Sequence, residues 1–537
     1  MTIGEKITKL RTALGYSQEK LAEAVGVSRQ SVSKWEMDQA TPQTEKVLLL
    51  CELLGVSCDE LLRESVPIHP TDEPTPHKYF GTDGFRGEAN QNLTSMQAYQ
   101  VGRFLGWYYG SIGAEGHTGH HVRIVVGKDT RRSSYMLEYA IAAGITASGA
   151  DAYMLHVTTT PSVSYVTRLE GFDCGIMITA SHNPYYDNGI KVINRYGEKL
   201  DDETTALIEA YLDGDMRRLG LPGADLPLAH RDKIGAIIDH VAGRNRYVGY
   251  LISLASHSYK HLKIGLDCAN GASWMIAPAL FGALGAQIFE MGCEPNGLNV
   301  NDGCGSTHIE RLCKMVKEKH LDVGFAFDGD CDRCLAVDEY GHVVDGDAIM
   351  YLLAKRLAGR GMLNQNTVVA TVMSNSGFFA SLAEAGMVCE QTAVGDRFVY
   401  ERMQSGDFSL GGEQSGHIIL KKYATTGDGL LTAIMIAEEM CDTKQPLSKL
   451  VASVHLYPQY THNVRVKDKA KAIADARVLA TLEEVKRAID GKGRVLLRPS
   501  GTEPVVRVMV ECEREEDAIA YANQIASKIV ECGHGDV

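Results

Sequence analysis

Val323-Gly-Phe-Ala-Phe-Asp328-Gly-Asp330-Cys-Asp332-Arg333 is the stretch on which the interpretation of this 537-residue chain turns. Its first five residues, apolar or small, fit a strand covered on both faces, as parallel sheets require. The acidic run that follows places a carboxylate at every second position. On a helix successive members would fan about 200° apart. In an extended loop they point to one side and converge on a cation. Three hard oxygen ligands suit Mg2+, which completes its shell with phosphate oxygens and water. Ca2+ shares the ligand type, but the loop lacks the long spacing and closing Glu of a calcium hand. A solvated acidic turn is the bland alternative.

Three further islands matter. The apolar run Gly175-Ile-Met-Ile178 leads into Thr179-Ala-Ser181-His182-Asn-Pro184. Pro184 predicts a helix start, which would set the Ser181 hydroxyl beside backbone N–H groups that favour a phosphate. An isolated Ser there reads as a helix cap; beside the acidic loop it reads as a phosphoryl carrier. In Gly411-Gly-Glu413-Gln-Ser415-Gly-His417, glycines let backbone approach a ligand. Glu413 and Ser415 alternate onto one side, fit for vicinal sugar hydroxyls, or for a plain polar turn. Arg498-Pro-Ser500-Gly501-Thr502-Glu-Pro504, with Arg507 beyond, offers charge and donors to a phosphate dianion, or forms a structural turn. One pair of islands thus holds a phosphoserine and a metal, and the other holds a sugar and a second, non-reacting phosphate. That division is the logic of a mutase.

Outward from these islands, strand-like runs (Val122–Val126, Lys263–Asp267, Thr367–Val372) alternate with helical patterns (Tyr135–Ala147, Ala277–Leu284, Ala348–Leu357), which predicts α/β domains with parallel or mixed sheets. Residues 456–537 read as a smaller α+β domain ending in an amphipathic helix. The formal charge of −14 argues against a nucleic-acid surface over the whole chain. No apolar stretch is long enough for a membrane span, and no signal segment opens the sequence, so a cytoplasmic protein without membrane contact is expected. Thirteen cysteines without a framework fit reduced thiols. Only Cys331 and Cys334 have C-x-x-C spacing, and no second pair completes a zinc site.

From Lys78 onward the chain resembles the α-D-phosphohexomutases. The match runs through Gly81-Thr-Asp-Gly-Phe-Arg86-Gly87, Thr179 to Lys191, Asp328 to Arg333, Gly412 to His417 and Arg498 to Pro504, in the family's order. Gln414 and Val394-Gly395-Asp396-Arg397 resemble its amino-sugar branch, while Phe85 and Cys331 depart from that branch's usual residues. The resemblance implies four domains, three α/β and a C-terminal α+β, at 78–235 (phosphoserine), 236–340 (metal loop), 341–454 (sugar loop) and 455–537 (phosphate). It implies Ser181 as carrier, with Asp328, Asp330, Asp332 and the Ser181 oxygen around Mg2+. Arg86, His182, Lys191 and Arg333 would assist. Asp396, Arg397, Glu413, Ser415, His417, Arg498, Ser500, Gly501, Thr502 and Arg507 would bind a hexose phosphate, specifically glucosamine phosphate, or else glucose or mannose phosphate. Asp396 is expected to meet a substrate ammonium group. Lys191, His182 and His417 stand as candidate proton acceptors.

Residues 1–64 form a separate all-α piece, joined through a Pro-rich linker at 65–77 with four prolines between Pro67 and Pro76. Helices are predicted at Ile3–Leu14, Ser17–Val25, Ser28–Met37 and Thr44–Leu54. Ser17-Gln18-Glu-Lys-Leu-Ala22 and Val27-Ser-Arg29-Gln30-Ser-Val-Ser33-Lys-Trp-Glu36 resemble the helix-turn-helix domains of Xre/Cro-type repressors. That resemblance implies DNA contact through Gln18, Arg29, Gln30 and Ser33, made as a homodimer on a pseudo-palindrome. Eight basic against ten acidic side chains in 1–64 make a protein contact the alternative. A further alternative for the whole chain is a transcription regulator that uses the mutase body to sense a sugar phosphate.

Overall fold

The computed structural model describes residues 2–13, 16–54, 61–62, 78–81, 83–111, 121–221, 225–490, 492–499 and 505–536. The Pro-rich linker and Ser500, Gly501 and Thr502 therefore lie outside the described residues. The chain divides into two compact units, Met1–Lys78 and Tyr79–Val537.

In the first unit, α1 (Ile3–Ala13), α2 (Gln18–Val25), α3 (Arg29–Glu36) and α4 (Thr44–Leu54) enclose a core of Ile7, Leu21, Val32, Trp35 and Leu50. Ser17 Oγ accepts from Lys20 N (3.1 Å), and the Ser28 hydroxyl caps α3 through Ser31 N. Gly26, in the turn between α2 and α3, sits at φ +68°, where a side chain would be strained.

The described residues of the second unit form four sheets. The first joins β1 (Phe80–Gly81), β2 (Gly84–Glu88), β3 (Arg123–Lys128), β4 (Asp151–Val157), β5 (Cys174–Ile178), β6 (Asp187–Asn194) and β7 (Ile237–Asp239) in the order β1-β2-β6-β5-β3-β4-β7. Strand β7 pairs with β4, so this sheet reaches past residue 235. With alternating exposure in three residues, β7 leaves little trace in the sequence. The second sheet joins β8 (Lys263–Asp267), β9 (Gln287–Met291), β10 (Val323–Phe327), β11 (Cys334–Val337) and β12 (Val343–Val344) in the order β12-β11-β10-β8-β9. Every residue of β10 is buried, as its unbroken apolar run requires. The third joins β13 (Thr367–Thr371), β14 (Val388–Thr392), β15 (Leu410–Gly412) and β16 (Ile418–Leu420) in the order β14-β13-β15-β16. The fourth is wholly antiparallel: β17 (Gln459–Val466), β18 (Gly493–Pro499), β19 (Val505–Cys512) and β20 (Gly535–Asp536), ordered β18-β19-β17-β20, with the helix Glu515–Glu531 packed on it.

One continuous core runs from the second sheet to the third. Between them lies the almost wholly buried helix Gly429–Thr443, capped by Asp428, whose carboxylate accepts from Leu431 N (3.0 Å) and Tyr247 Oη (2.9 Å). Burial pushes the Asp428 carboxyl up to about 6. Its folded value therefore exceeds its unfolded one. Between about pH 4 and 6 the unfolded chain releases the proton first, and stability falls as pH rises through that window. Asp428→Asn, which keeps the cap, removes this slope. Melting curves of both proteins should show the variant gaining several degrees on the parent from pH 4 to pH 7, the equivalent of about 3 kcal/mol at most.

Candidate active site

Strand β10 runs antiparallel to β11, with Phe327 opposite Cys334, so residues 328–333 form a tight hairpin loop rather than an extended one. The left-handed Cys331 (φ +62°) bends it. Asp328, Asp330 and Asp332 converge there, with one ligand oxygen from each within 4.8 Å of the others, and all three are buried. Cys331 and Cys334 are buried free thiols packed in the core beneath the loop.

Strand β5 delivers Ser181 to this loop. Its Oγ donates to Asp328 Oδ2 at 2.5 Å, and His182 Nδ1 stands 3.5 Å from the same oxygen. No helix follows: residues 180–186 form a loop that enters β6, which pairs antiparallel with β5. The prediction from Pro184 fails because cap and turn signals share residue types, and the loop's carbonyls are satisfied by a buried guanidinium instead of by helical turns.

From β6, Lys191 Nζ reaches Asp330 (2.8 Å), Asp332 (3.1 Å) and Asp83 (3.1 Å). Burial pulls this ammonium down, but the three carboxylates outweigh it and hold it well above the ordinary lysine value. Burial and then Asp332 and Asp330 push Asp328 well above the carboxylate range. Burial and the cations Arg333 and Arg86 bring His182 down to about 4. Asp332 and Asp396 favour a charged His417 and hold it up at about 9 against its burial. Yet Gly427 N donates to His417 Nε2 at 3.0 Å, closer than either carboxylate (3.6 and 3.7 Å). That N–H, aimed at Nε2, opposes the charged form and sets the tautomer of the neutral ring, with its proton on Nδ1, facing Asp332.

Arg86 pairs with Asp83 and reaches Asn183 Oδ1, and Arg333 flanks Asp332. The Nε atoms of both are buried without a hydrogen-bond partner among the described residues, as are Asp330 Oδ1 and Asp332 Oδ1, although Arg333 Nε and Asp332 Oδ1 face each other at 4.0 Å. Guanidinium donors and carboxylate oxygens are thus left over side by side. An anion and a cation together would satisfy them.

The sugar-loop island forms the β15–β16 connection. Glu413 Oε1 accepts from Gly395 N (3.2 Å), and Ser415 Oγ lies 3.5 Å from Glu413 Oε2. Gln414 donates to Asp345. A side chain at Gly416 (φ +92°) would meet Cys334 O at 2.4 Å, so glycine alone lets this loop abut β11. Asp396 opens the helix Asp396–Gly406 and accepts from Lys199 Nζ (2.7 Å), which also holds Asp83 (3.0 Å). The ammonium expected from a substrate is thus already supplied by the protein. Arg397 is likewise engaged, bidentate on Asp202 (2.5 and 2.8 Å). Arg498 stands directly opposite Arg507 in the β18–β19 ladder, where like charges repel unless an anion lies between them.

Sequence reasoning passed over Asp83, although it lies inside the quoted Gly81–Gly87 motif, and also Thr160, Lys199, Arg131 and Asn301. Thr160 binds Asp330 through both Oγ1 (2.5 Å) and its backbone N (3.0 Å). In the N-terminal unit, Gln18 is turned onto Glu36 (2.6 Å) and Arg29 onto Glu19 (2.8 Å), while Gln30 is exposed and Ser33 half-buried on α3.

Family models agree with this architecture. Phosphoglucomutase/phosphomannomutase alpha/beta/alpha domains I, II and III match residues 77–218, 245–341 and 345–457, the C-terminal domain matches 462–528, and a helix-turn-helix model matches 7–61. The chain belongs to the phosphohexomutase family of isomerases, intramolecular phosphotransferases. Similar curated relatives are phosphoglucosamine mutases: that of Lachnospira eligens is 54% identical over 457 residues (85% of this chain, 99% of the relative). That of Bacillus cereus is 46% identical over 452 residues (84% and 98%). Among solved structures, a phosphoglucomutase/phosphomannomutase family protein of Burkholderia thailandensis superposes with TM-score 0.68 at 23% identity, covering 85% of this chain and 98% of its own. The N-acetylphosphoglucosamine mutase of Aspergillus fumigatus, in complex with GlcNAc-6P and magnesium, gives 0.58 at 18% (85% and 96%). Among the described residues, no helix is long and apolar enough to cross a membrane.

Proposed function

We propose that the chain interconverts glucosamine 6-phosphate and glucosamine 1-phosphate, with Ser181 as phosphoryl carrier. The observation that carries this is the Ser181 oxygen at 2.5 Å from one of three converging buried carboxylates. The carboxylates fit Mg2+: the donor set is all oxygen, and Asp330 and Asp332 each keep one oxygen with no hydrogen-bond partner among the described residues. When bound, the cation neutralises charge on the transferring phosphoryl oxygens. The protein does the rest. In the forward half-reaction the Ser181 Oγ–P bond breaks while a sugar hydroxyl forms its own O–P bond and gives up its proton. Lys191 is committed to three carboxylates and His417 to Gly427, which leaves His182, beside Ser181 Oγ, as the proton acceptor. Arg86 and Arg333 turn their spare donors to the phosphoryl group. The bisphosphorylated sugar then reverses in the cleft, and its other phosphate returns to Ser181. Glu413 and Ser415 hold ring hydroxyls in both poses. Arg498 and Arg507, with Ser500, Gly501 and Thr502, grip the phosphate that is not reacting. Asp396 and His417 border the sugar, and Arg397 holds Asp396 only through its backbone N–H (2.9 Å).

Comparing kcat/KM for glucosamine, glucose and mannose phosphates with and without Mg2+ tests this assignment. Preference for the amino sugar by at least about tenfold is expected; equal use of glucose or mannose phosphate would move the chain to the other branch. Residues 1–64 support DNA binding through α3, with Arg29 released from Glu19 on contact. Anisotropy of the full chain on selected duplexes, lost in Arg29→Ala/Gln30→Ala, checks it. A change in that signal on adding glucosamine 6-phosphate would favour the sensing role.

A further inference from the structure

Ser181 has φ +50°, a left-handed conformation that a residue with a side chain adopts at a cost of about 1 kcal/mol or more. Something must hold it there. Its N–H donates to Thr179 Oγ1 (2.9 Å), whose own hydroxyl donates to Asp129 Oδ2 (2.8 Å). Its carbonyl accepts from Arg131 Nη2 (2.8 Å), and Arg131 in turn donates through N (3.0 Å) and Nε (2.7 Å) to the same Asp129 carboxylate. Both backbone polar groups of Ser181 are therefore tied, each through one intermediary, to Asp129 at the end of β3. Arg131 also collects the carbonyls of Asn183 (2.8 Å), Pro184 and Asp187 (2.9 Å). A second amide closes the arrangement from the metal-loop domain. Asn301 Nδ2 donates to Ser181 O (2.8 Å) and Asn183 O (3.1 Å), while Asn301 N is anchored on Ala269 O. Gly329 of the acidic loop packs against the same carbonyl, since a Cβ there would lie 2.5 Å from Ser181 O.

We infer that Arg131, with Asn301 as its counterpart across the domain junction, is the positioning device for the phosphoryl carrier. This rests on Ser181 being that carrier. Arg131 is wholly buried and its five donors face protein atoms, so it acts through Ser181 and not on the sugar. Its fork keeps four electronegative carbonyl oxygens on a guanidinium and away from the phosphate. It also fixes where Oγ stands relative to Asp328. Transfer in line depends on that placement, and a displacement of an ångström costs about 100-fold. Lysine can replace the charge but not the fork.

Single-turnover transfer from the phosphorylated enzyme to saturating glucosamine 6-phosphate tests the inference in Asn301→Ala and Arg131→Lys, with the 31P resonance of the phosphoserine recorded in parallel. Asn301→Ala should slow transfer by about tenfold with KM within twofold and a shifted or broadened resonance, and Arg131→Lys by about 100-fold. If Arg131→Lys does not fold, Asn301→Ala alone decides. Transfer at the parental rate with an unmoved resonance overturns the inference, as does a loss confined to KM. Phosphoryl found elsewhere than Ser181 in the parent protein instead overturns the reading on which it rests.

Discussion

Ser181→Ala abolishes turnover, with kcat falling by at least about 10⁴-fold while glucosamine 6-phosphate still binds. The size follows from the role: removing the atom that carries the group leaves only positioning and charge, and such losses run to 10⁴–10⁶. Binding survives because the sugar loop and the Arg498–Arg507 pair stand on other sheets. The fold survives as well, since the backbone bonds to Thr179, Arg131 and Asn301 do not involve Oγ. The expected cost in stability is the Asp328 hydrogen bond, about 1 kcal/mol. Mutase assay, calorimetry with glucosamine 6-phosphate and a melting curve check the three parts. A variant that turns over within tenfold of the parent would remove Ser181 from the chemistry.

Asp330→Asn has the second largest effect. Asp330 is the carboxylate most completely built in: Oδ2 takes Thr160 Oγ1 and Lys191, and Oδ1 remains for a cation. The amide removes one negative charge from the triad and offers the cation at most a neutral oxygen, while Lys191 keeps its charge. Apparent Mg2+ affinity should drop by at least about 100-fold and kcat/KM at fixed Mg2+ by about 1000-fold, part of it restored at high Mg2+. A Mg2+ titration of activity, beside direct metal binding, reads both. Unchanged metal dependence would place the ion elsewhere.

What was legible in the sequence was whatever is local. An unbroken apolar run signals a strand covered on both faces, and Val323–Phe327 is one. Carboxylates at every second position gather at a strand end whether the loop is extended, as expected, or folded tightly through Cys331, as found. Ser181 was legible from the strand before it. The loop after it was not, because its shape is decided by Arg131, about fifty residues away in sequence, and by Asn301 from the loop after β9. Nor could composition show that Lys199 already neutralises Asp396 and Asp83, or that Arg397 faces Asp202. Those are pairings between residues far apart in sequence, two of the three between domains, with no periodicity to reveal them. Arg498 and Arg507 lay within reach of sequence because they flank one motif, and the ladder sets them opposite each other.

On the proposed mechanism all phosphorus passes through one serine. Incubation of the full chain with labelled glucosamine 1,6-bisphosphate and Mg2+, followed by peptide mapping, locates it. The expected result is a single phosphoryl group on Ser181 that chases completely into sugar when glucosamine 6-phosphate is added. Label on any other residue, or label on Ser181 that does not chase, contradicts it.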